Sequence, residues 1–190
     1  MGQDCRHALR RTELPPAMNA LEKIADAIDA FSTFIGRILS WVMIPVVAVS
    51  FGVVVMRYAF GKGYPWMQEA YIWMHGAAVL LCAAWVLKEG GHVRVDLFYK
   101  KWTATTRAWS DLFGVVVFLY PMMGFLFWWS LPVVQRSWRL LERSPTSDGL
   151  QFVYLMKTVI PVFCVLVMIQ GLSMAFRSIV LIARGEKAGG

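Results

Sequence analysis

Charged side chains are scarce in this sequence, and four long stretches have none. Asp, Glu, Lys and Arg make up 16% of the 190 residues, whereas hydrophobic residues make up 58%. The charge-free stretches are residues 38–56, 70–87, 112–135 and 158–176. A soluble helix needs a polar face, and about 20 helical residues cross a ~30 Å hydrocarbon core. The pattern excludes an ordinary soluble domain and predicts an all-α integral membrane protein with four transmembrane helices.

Cysteine is also rare, with three residues at positions 5, 82 and 164. An odd number without a C-x-x-C spacing supports neither a disulfide framework nor a metal site. The sequence also lacks a Ser/His/Asp arrangement and a phosphate-binding loop, so we predict neither an enzyme nor a bound cofactor. The first apolar stretch begins too late and is too long for a cleaved signal peptide. Few polar groups in the spans and no inverted repeat argue against a stand-alone transporter.

The remaining charges divide the chain into three segments. Residues 1–18 are polar and predict a disordered cytoplasmic N-terminus, residues 19–183 predict the membrane domain, and residues 184–190 predict a cytoplasmic tail. Within the membrane domain, the predicted spans cover about residues 38–58, 67–88, 110–135 and 157–178.

An amphipathic helix is predicted before the first span. Asn19 followed by Glu22 is typical of a helix N-cap and its partner. The apolar residues of one helical face are Leu21, Ile24, Ile28, Phe31 and Ile35. The pattern predicts an N-terminal amphipathic interfacial helix, and a solvated helix that docks on a partner is an equally good interpretation.

Lysine and arginine are unevenly distributed, which predicts the orientation. Six of the 19 lie in the first and third loops, and thirteen lie in the N-terminal segment, the second loop or the tail. The thirteen are Arg6, Arg10, Arg11, Lys23, Arg37, Lys88, Arg94, Lys100, Lys101, Arg107, Arg177, Arg184 and Lys187. The positive-inside rule therefore places both termini and the second loop in the cytoplasm. The +7 net charge sets orientation and does not indicate a nucleic-acid partner.

Two ionisable residues lie within or beside the second span. His75 is deep in the span, where such residues often have functional roles. A haem would need a second histidine at matching depth, and His7 and His92 do not provide one, so we expect His75 to bond a neighbouring helix or a partner subunit. Glu69 is predicted in the first helical turn, where a carboxylate complements the helix dipole.

The segment KEGGHVRVDLFYKKW, residues 88–102, gathers polar residues between two apolar spans. A Gly-Gly pair permits a tight exit from the second span, and Asp96 can cap a short following helix. His92, Arg94 and Asp96 alternate with valines, so an extended segment projects them together. This arrangement invites hydrogen bonds to an adjoining protein, while Lys100 and Lys101 face anionic membrane lipid. A merely solvated loop remains the alternative.

The segments WMQEAYIWM and KEGGHVRVDLFY, separated by an apolar span, resemble the small membrane subunit of tripartite ATP-independent periplasmic (TRAP) transporters, the DctQ-like family. Gly91, His92, Arg94, Val95 and Asp96 match the signature G-H-x-R-V-D of that family. The later segment ERSPTSDGLQFVYLMKTVIPVFCVLVMIQGLS resembles the family's fourth-helix region. The matching positions there are Lys157, Ile160, Pro161, Gln170 and Gly171.

The resemblance, over about residues 30–183, implies a subunit of a bacterial inner-membrane complex. In such complexes a periplasmic substrate-binding protein captures an organic anion and a large permease subunit transports it, usually with sodium. The small subunit is expected to scaffold the large one and to help dock the binding protein. The alternative interpretation is a haem- or quinone-binding membrane anchor of an oxidoreductase, for which paired membrane histidines would be needed.

Overall fold

The computed structural model describes residues 16–89 and 104–188. This part of the chain contains helices and no strand. Helix α1 is Pro16–Ala59, α2 is Pro65–Lys88, and α4 is Val153–Ala188. Helix α3 combines three consecutive pieces, Ala104–Gly114, Val115–Leu119 and Tyr120–Leu140. All four helices contain segments long and apolar enough to cross a membrane, so the prediction of four spanning helices is confirmed.

Helix α4 is the centre of the bundle. It contacts each of the other three helices, and α1 also contacts α2. In the most apolar window of α4, 39% of the residues are buried, compared with 6% in the windows of α1 and α3. The outer helices therefore expose most of their apolar surface, as membrane helices do when lipid or a partner surrounds them.

Glycines permit the closest approaches between helices. A Cβ atom at Gly36 of α1 would lie 2.6 Å from the Trp85 ring of α2. A Cβ atom at Gly171 of α4 would lie 2.9 Å from the Leu119 side chain of α3. Because lipid offers no hydrophobic driving force for association, such close packing is a main source of stability between membrane helices.

Helix α3 widens into a π-helical turn, Val115–Leu119, which ends two residues before Pro121. Proline lacks an amide hydrogen and clashes with the carbonyl one turn earlier, so a local π adjustment accommodates it. The widened turn packs on Gly171, and the Tyr120 hydroxyl donates to the Met168 carbonyl at 3.2 Å. The helix then continues to Leu140, beyond the predicted span, and ends at Leu141 in the left-handed region (φ 44°).

The region before the first span is an uninterrupted part of α1, which runs for 44 residues. A separate amphipathic interfacial helix is therefore not confirmed. The apolar residues Ile24 and Phe31 are 48% and 49% exposed, whereas the polar residues Asp29 and Ser32 are buried against the bundle. Helix α1 already begins at Pro16, so Asn19 lies inside the helix and is not its N-cap.

The antiparallel helices give the bundle two ends. We call one the terminal end, because it holds the start of α1, the end of α2, the start of α3 and the end of α4. We call the other the hairpin end, because it holds the connections 60–64 and 141–152. Hydrogen-bonded polar clusters occupy both ends.

Candidate functional site: two polar clusters

The terminal cluster is built on Asp29 of α1. Its Oδ1 atom accepts hydrogen bonds from the Gln170 side-chain amide at 2.8 Å and from the Ser173 hydroxyl at 2.7 Å. The Gln170 carbonyl oxygen in turn accepts from the Ser32 hydroxyl at 2.6 Å. Asp29, Gln170 and Ser173 are only 8%, 1% and 0% exposed. The cluster therefore joins α1 to α4 inside the bundle.

Basic side chains form the outer rim of this cluster. The Arg177 guanidinium donates to Asp29 Oδ2 at 2.6 Å and to Asp26 Oδ1 at 2.8 Å. The Lys88 ammonium at the end of α2 donates to the Thr33 hydroxyl at 2.7 Å. Arg177 thus balances the charge of the buried carboxylate, and the rim connects α1 with both α2 and α4.

A cluster of this kind stabilises the packing of one helix against another. A buried carboxylate is costly unless it is paired and hydrogen-bonded. Asp29 meets both conditions, since two neutral donors reach one oxygen and a guanidinium reaches the other. These donors come from α4 and the carboxylate from α1, so the interactions fix the register of the two helices.

The hairpin cluster is built on Glu69 of α2. Its carboxylate accepts hydrogen bonds from the Ser144 and Thr146 hydroxyls, both at 2.5 Å, and from the Leu150 amide at 2.7 Å. Glu69 is the fifth residue of α2, just beyond the first turn in which we predicted it. Its carboxylate therefore organises the α3–α4 connection instead of complementing a helix start.

A second carboxylate fixes the end of α3. Glu142 accepts from the Lys157 ammonium at 2.5 Å and from the Ser137 hydroxyl at 2.6 Å. These hydrogen bonds from Lys157 and Ser137 hold the pKa of Glu142 below its usual value. Nearby, the Trp138 indole donates to the Thr158 hydroxyl at 2.9 Å. These contacts hold the end of α3 against the start of α4.

The structure places the residues singled out from the sequence in different surroundings. Gln170 is in the terminal cluster, whereas Glu69 and Lys157 are in the hairpin cluster. Pro161 is buried within α4, and His75 lies on the exposed side of α2. Gly91, His92, Arg94 and Asp96 lie outside the described residues. The two clusters are thus at opposite ends of the bundle and do not form one site.

Sequence reasoning missed the residues around which these clusters form. Asp29 lies off the apolar face of the predicted amphipathic helix, where a charged residue would be solvated, yet it is buried with Ser32 and Ala25. A signal was available, because Ala25, Asp29, Ser32 and Gly36 recur every three or four residues. A stripe of small residues at this spacing is typical of a close helix–helix contact in membranes.

These observations define a multi-pass helical membrane protein whose buried polar side chains bind helices to one another. Residues 46–181 match the family model described as tripartite ATP-independent periplasmic transporters, DctQ component. The chain therefore belongs to the DctQ family of TRAP transporter components, as its motifs indicated. Family and helices together make it a multi-pass protein of the inner membrane.

One curated relative is the C4-dicarboxylate TRAP transporter small permease protein DctQ of Vibrio cholerae serotype O1. The two sequences are 25% identical over 134 residues, which is 68% of this chain and 55% of the relative. This chain thus matches only about half the length of that protein. No solved structure shows a significant match.

Proposed function

We propose that this chain is the small membrane subunit of a secondary-active TRAP transporter and scaffolds the large permease subunit during organic-anion uptake. The observation that carries the proposal is the family match over residues 46–181, which includes parts of all four helices. The Vibrio cholerae relative is named as part of a C4-dicarboxylate transporter, which supports carboxylates as the substrate class. Sodium as the coupling ion belongs to the same proposal.

The buried polar groups are already hydrogen-bonded within the chain, which supports a scaffold role. A solute pathway needs polar groups that can exchange their partners for the solute. Asp29 already accepts hydrogen bonds from Gln170, Ser173 and Arg177. Glu69 is also engaged in hydrogen bonds, because its carboxylate accepts three of them from the α3–α4 connection. We therefore assign the solute pathway to the large subunit.

The exposed side of α2 supports the proposal of a protein partner within the membrane. His75 lies near the middle of α2 and is exposed, and the structure gives it no hydrogen bond to any described residue. A polar side chain at that depth is costly to leave in lipid. Its neighbours on the exposed side, Ile72 and Val79, are 47% and 55% exposed. We propose that this face of α2 contacts the large subunit.

The proposed orientation places the terminal end in the cytoplasm, because thirteen of the 19 basic residues lie in the N-terminal segment, the second loop and the tail of the sequence. The hairpin end then faces the periplasm, where the 141–152 connection is available to help dock the substrate-binding protein. Single cysteines at Asn19 and Lys62 in a cysteine-free background report the two sides. A membrane-impermeant thiol reagent added to whole cells should label position 62 alone, and labelling of position 19 alone would reverse the orientation.

Reconstitution tests the transport proposal. Vesicles that contain this chain alone should show no uptake of C4-dicarboxylates under a sodium gradient. Vesicles that also contain the large subunit, supplied with the binding protein, should show uptake. Uptake by the lone chain, or equal uptake by the complex without it, would refute the scaffold role. Dissipation of the sodium gradient with an ionophore serves as the control.

The signature loop offers a sharper test of scaffolding. We propose from the sequence that His92, Arg94 and Asp96 join the second and third helices to the large subunit. Arg94→Ala and Asp96→Ala should reduce the amount of large subunit that co-purifies, and uptake should fall in proportion. Lys62→Ala is a matched control at the other end of the bundle. Normal assembly with a collapse of uptake per complex would place the loop in the transport cycle instead.

A further inference from the structure

A charged groove of about 470 Å³ opens at the terminal end between α1, α2 and α4. Three cations line it, Arg37, Lys88 and Arg177, together with the carboxylates Asp26 and Asp29. The aromatic ring of Phe34, which is 63% exposed, also lines it. The lining residues carry one more positive than negative charge.

The three cations differ in how many hydrogen bonds and ion pairs they already make. Arg177 is bound to Asp26 and Asp29. Lys88 donates to Thr33 and lies 3.4 Å from Glu89, which is not part of the lining. Arg37 is exposed and makes no hydrogen bond or ion pair with any residue that the structure describes. Arg37 is therefore the cation that is available to an anionic ligand, and Lys88 has donors to spare.

The depth of the groove matches a membrane boundary. Arg37 directly precedes the charge-free stretch 38–56, and Lys88 directly follows the stretch 70–87. Because α1 and α2 are antiparallel neighbours, both cations lie at the same edge of the apolar layer. Trp41, one turn deeper, is 70% exposed, as expected of an aromatic side chain below the headgroups. Lipid phosphates occupy this level.

An apolar groove lies deeper on the same side of α1. It has a volume of about 530 Å³ and is lined only by Met43, Ile44, Val47, Ala48 and Phe51. At ~100° per residue, Ile44 and Ala48 point within about 20° of the direction of Arg37. At ~1.5 Å per residue, Ile44 is about 10 Å deeper than Arg37. The charged groove and the apolar groove thus lie one after the other along the same side of α1.

We propose that these two grooves together hold one anionic phospholipid. Its phosphate binds Arg37 and Lys88, and one acyl chain follows α1 from Ile44 to Phe51. Basic pockets between membrane helices at this level favour anionic headgroups. Free phosphate would use only the charged groove, so the presence of the apolar groove favours a lipid. The site depends on insertion in a membrane and is independent of the transport role.

Native mass spectrometry of the full chain in a neutral detergent tests the site. Phosphatidylglycerol, phosphatidylcholine and inorganic phosphate are titrated separately after delipidation. We expect one tight adduct with phosphatidylglycerol. Each substitution, Arg37→Gln or Lys88→Gln, should weaken that adduct about fivefold, as expected for one basic residue near an anionic headgroup. The double variant should weaken it about 25-fold if the two free-energy effects add.

A second set of variants tests the acyl groove. Ala48→Trp should fill the groove and weaken phosphatidylglycerol binding at least fivefold, whereas Ala59→Trp at the end of α1 should not. Arg57→Gln and Lys62→Gln at the hairpin end are the matched charge controls. Circular dichroism and gel filtration check that each variant is folded.

Four results would overturn the lipid site. Unchanged affinity in the double Arg37 and Lys88 variant would remove the role of the cations. Equal affinity for phosphatidylcholine would show that charge is irrelevant, and equal affinity for inorganic phosphate would show a simple anion site. Loss of the adduct from the complex with the large subunit would show that protein, and not lipid, covers the groove. Persistence of the adduct in that complex supports the site.

Discussion

The two polar clusters use the same kinds of side chain in different surroundings. At the terminal end, the Asp29 side chain is 12% exposed, and the groups that donate to it come from a helix far away in the sequence. At the hairpin end, the Glu142 side chain is 38% exposed and its partners Ser137 and Lys157 lie within the same hairpin. One carboxylate is inside the bundle, and the other is at its edge.

This difference determines what each cluster contributes. A buried hydrogen bond is expensive to break, because its partner is left unsatisfied where water cannot replace it. An exposed ion pair contributes little, because water and salt screen it. We therefore expect the terminal cluster to support the stability of the whole bundle. The hairpin cluster should determine the conformation of one connection.

Asp29→Ala should give the largest effect. It removes the acceptor shared by Gln170, Ser173 and Arg177. Removing one member of a buried, charged hydrogen-bond network costs about 3 kcal/mol. The free energy of unfolding, measured by titration with sodium dodecyl sulfate in mixed micelles, should fall by about that amount.

Asp26→Ala is the matched control for this measurement. Asp26 also binds Arg177, but its side chain is 69% exposed. Its removal should cost less than about 1 kcal/mol, as for other surface ion pairs. Equal losses in the two variants would contradict the distinction between a buried and an exposed carboxylate.

Glu69→Gln should have a smaller, local effect. The amide retains one acceptor oxygen but loses the charge that three donors of the α3–α4 connection share. Amide hydrogen exchange should accelerate at Leu150 and its neighbours while the unfolding of the bundle hardly changes. Asp148→Asn, an exposed change in the same connection, should leave exchange unaltered. Global destabilisation by Glu69→Gln would show that the two clusters are equivalent.

The pH dependence of Glu142 should give the smallest effect. Its pKa is lowered in the folded protein, chiefly by the hydrogen bond from Lys157 and next by that from Ser137. The contribution of Glu142 is therefore present above its unfolded pKa and is lost as the pH falls through the lower, folded value. The Glu142→Gln variant should be less stable than the wild type at neutral pH, and the difference should disappear in acid. A difference that persists in acid would exclude ionisation of Glu142 as its source.

The helices were predictable because the criterion for a spanning helix is local. Length and the absence of charge decide it, and both are visible in a stretch such as 158–176. The ends of the helices follow less directly from this criterion. Helices α3 and α4 continue to Leu140 and Ala188, past their charge-free stretches, because a helix can extend beyond the apolar layer where no residue terminates it.

The partners of the polar residues were not predictable from the sequence. Gln170 and Lys157 were singled out only through the family resemblance, and their partners Asp29 and Glu142 were not. Asp29 and Gln170 are separated by 141 residues, so no local pattern connects them. Glu69 was assigned to a helix start, because the distant connection to which it bonds has no signal near position 69.

The sequence by itself determined the four apolar helices and the family to which the chain belongs, since both depend on residue types at short spacing. Only the tertiary structure decided that Asp29 and Ser32 of α1 face inward. A buried polar group needs hydrogen-bond partners within the protein, and Gln170 and Ser173 of α4 provide them. Asp29 and Ser32 therefore lie against α4, and Ile24 and Phe31 lie outside. Which neighbour each polar group meets depends on how the helices pack.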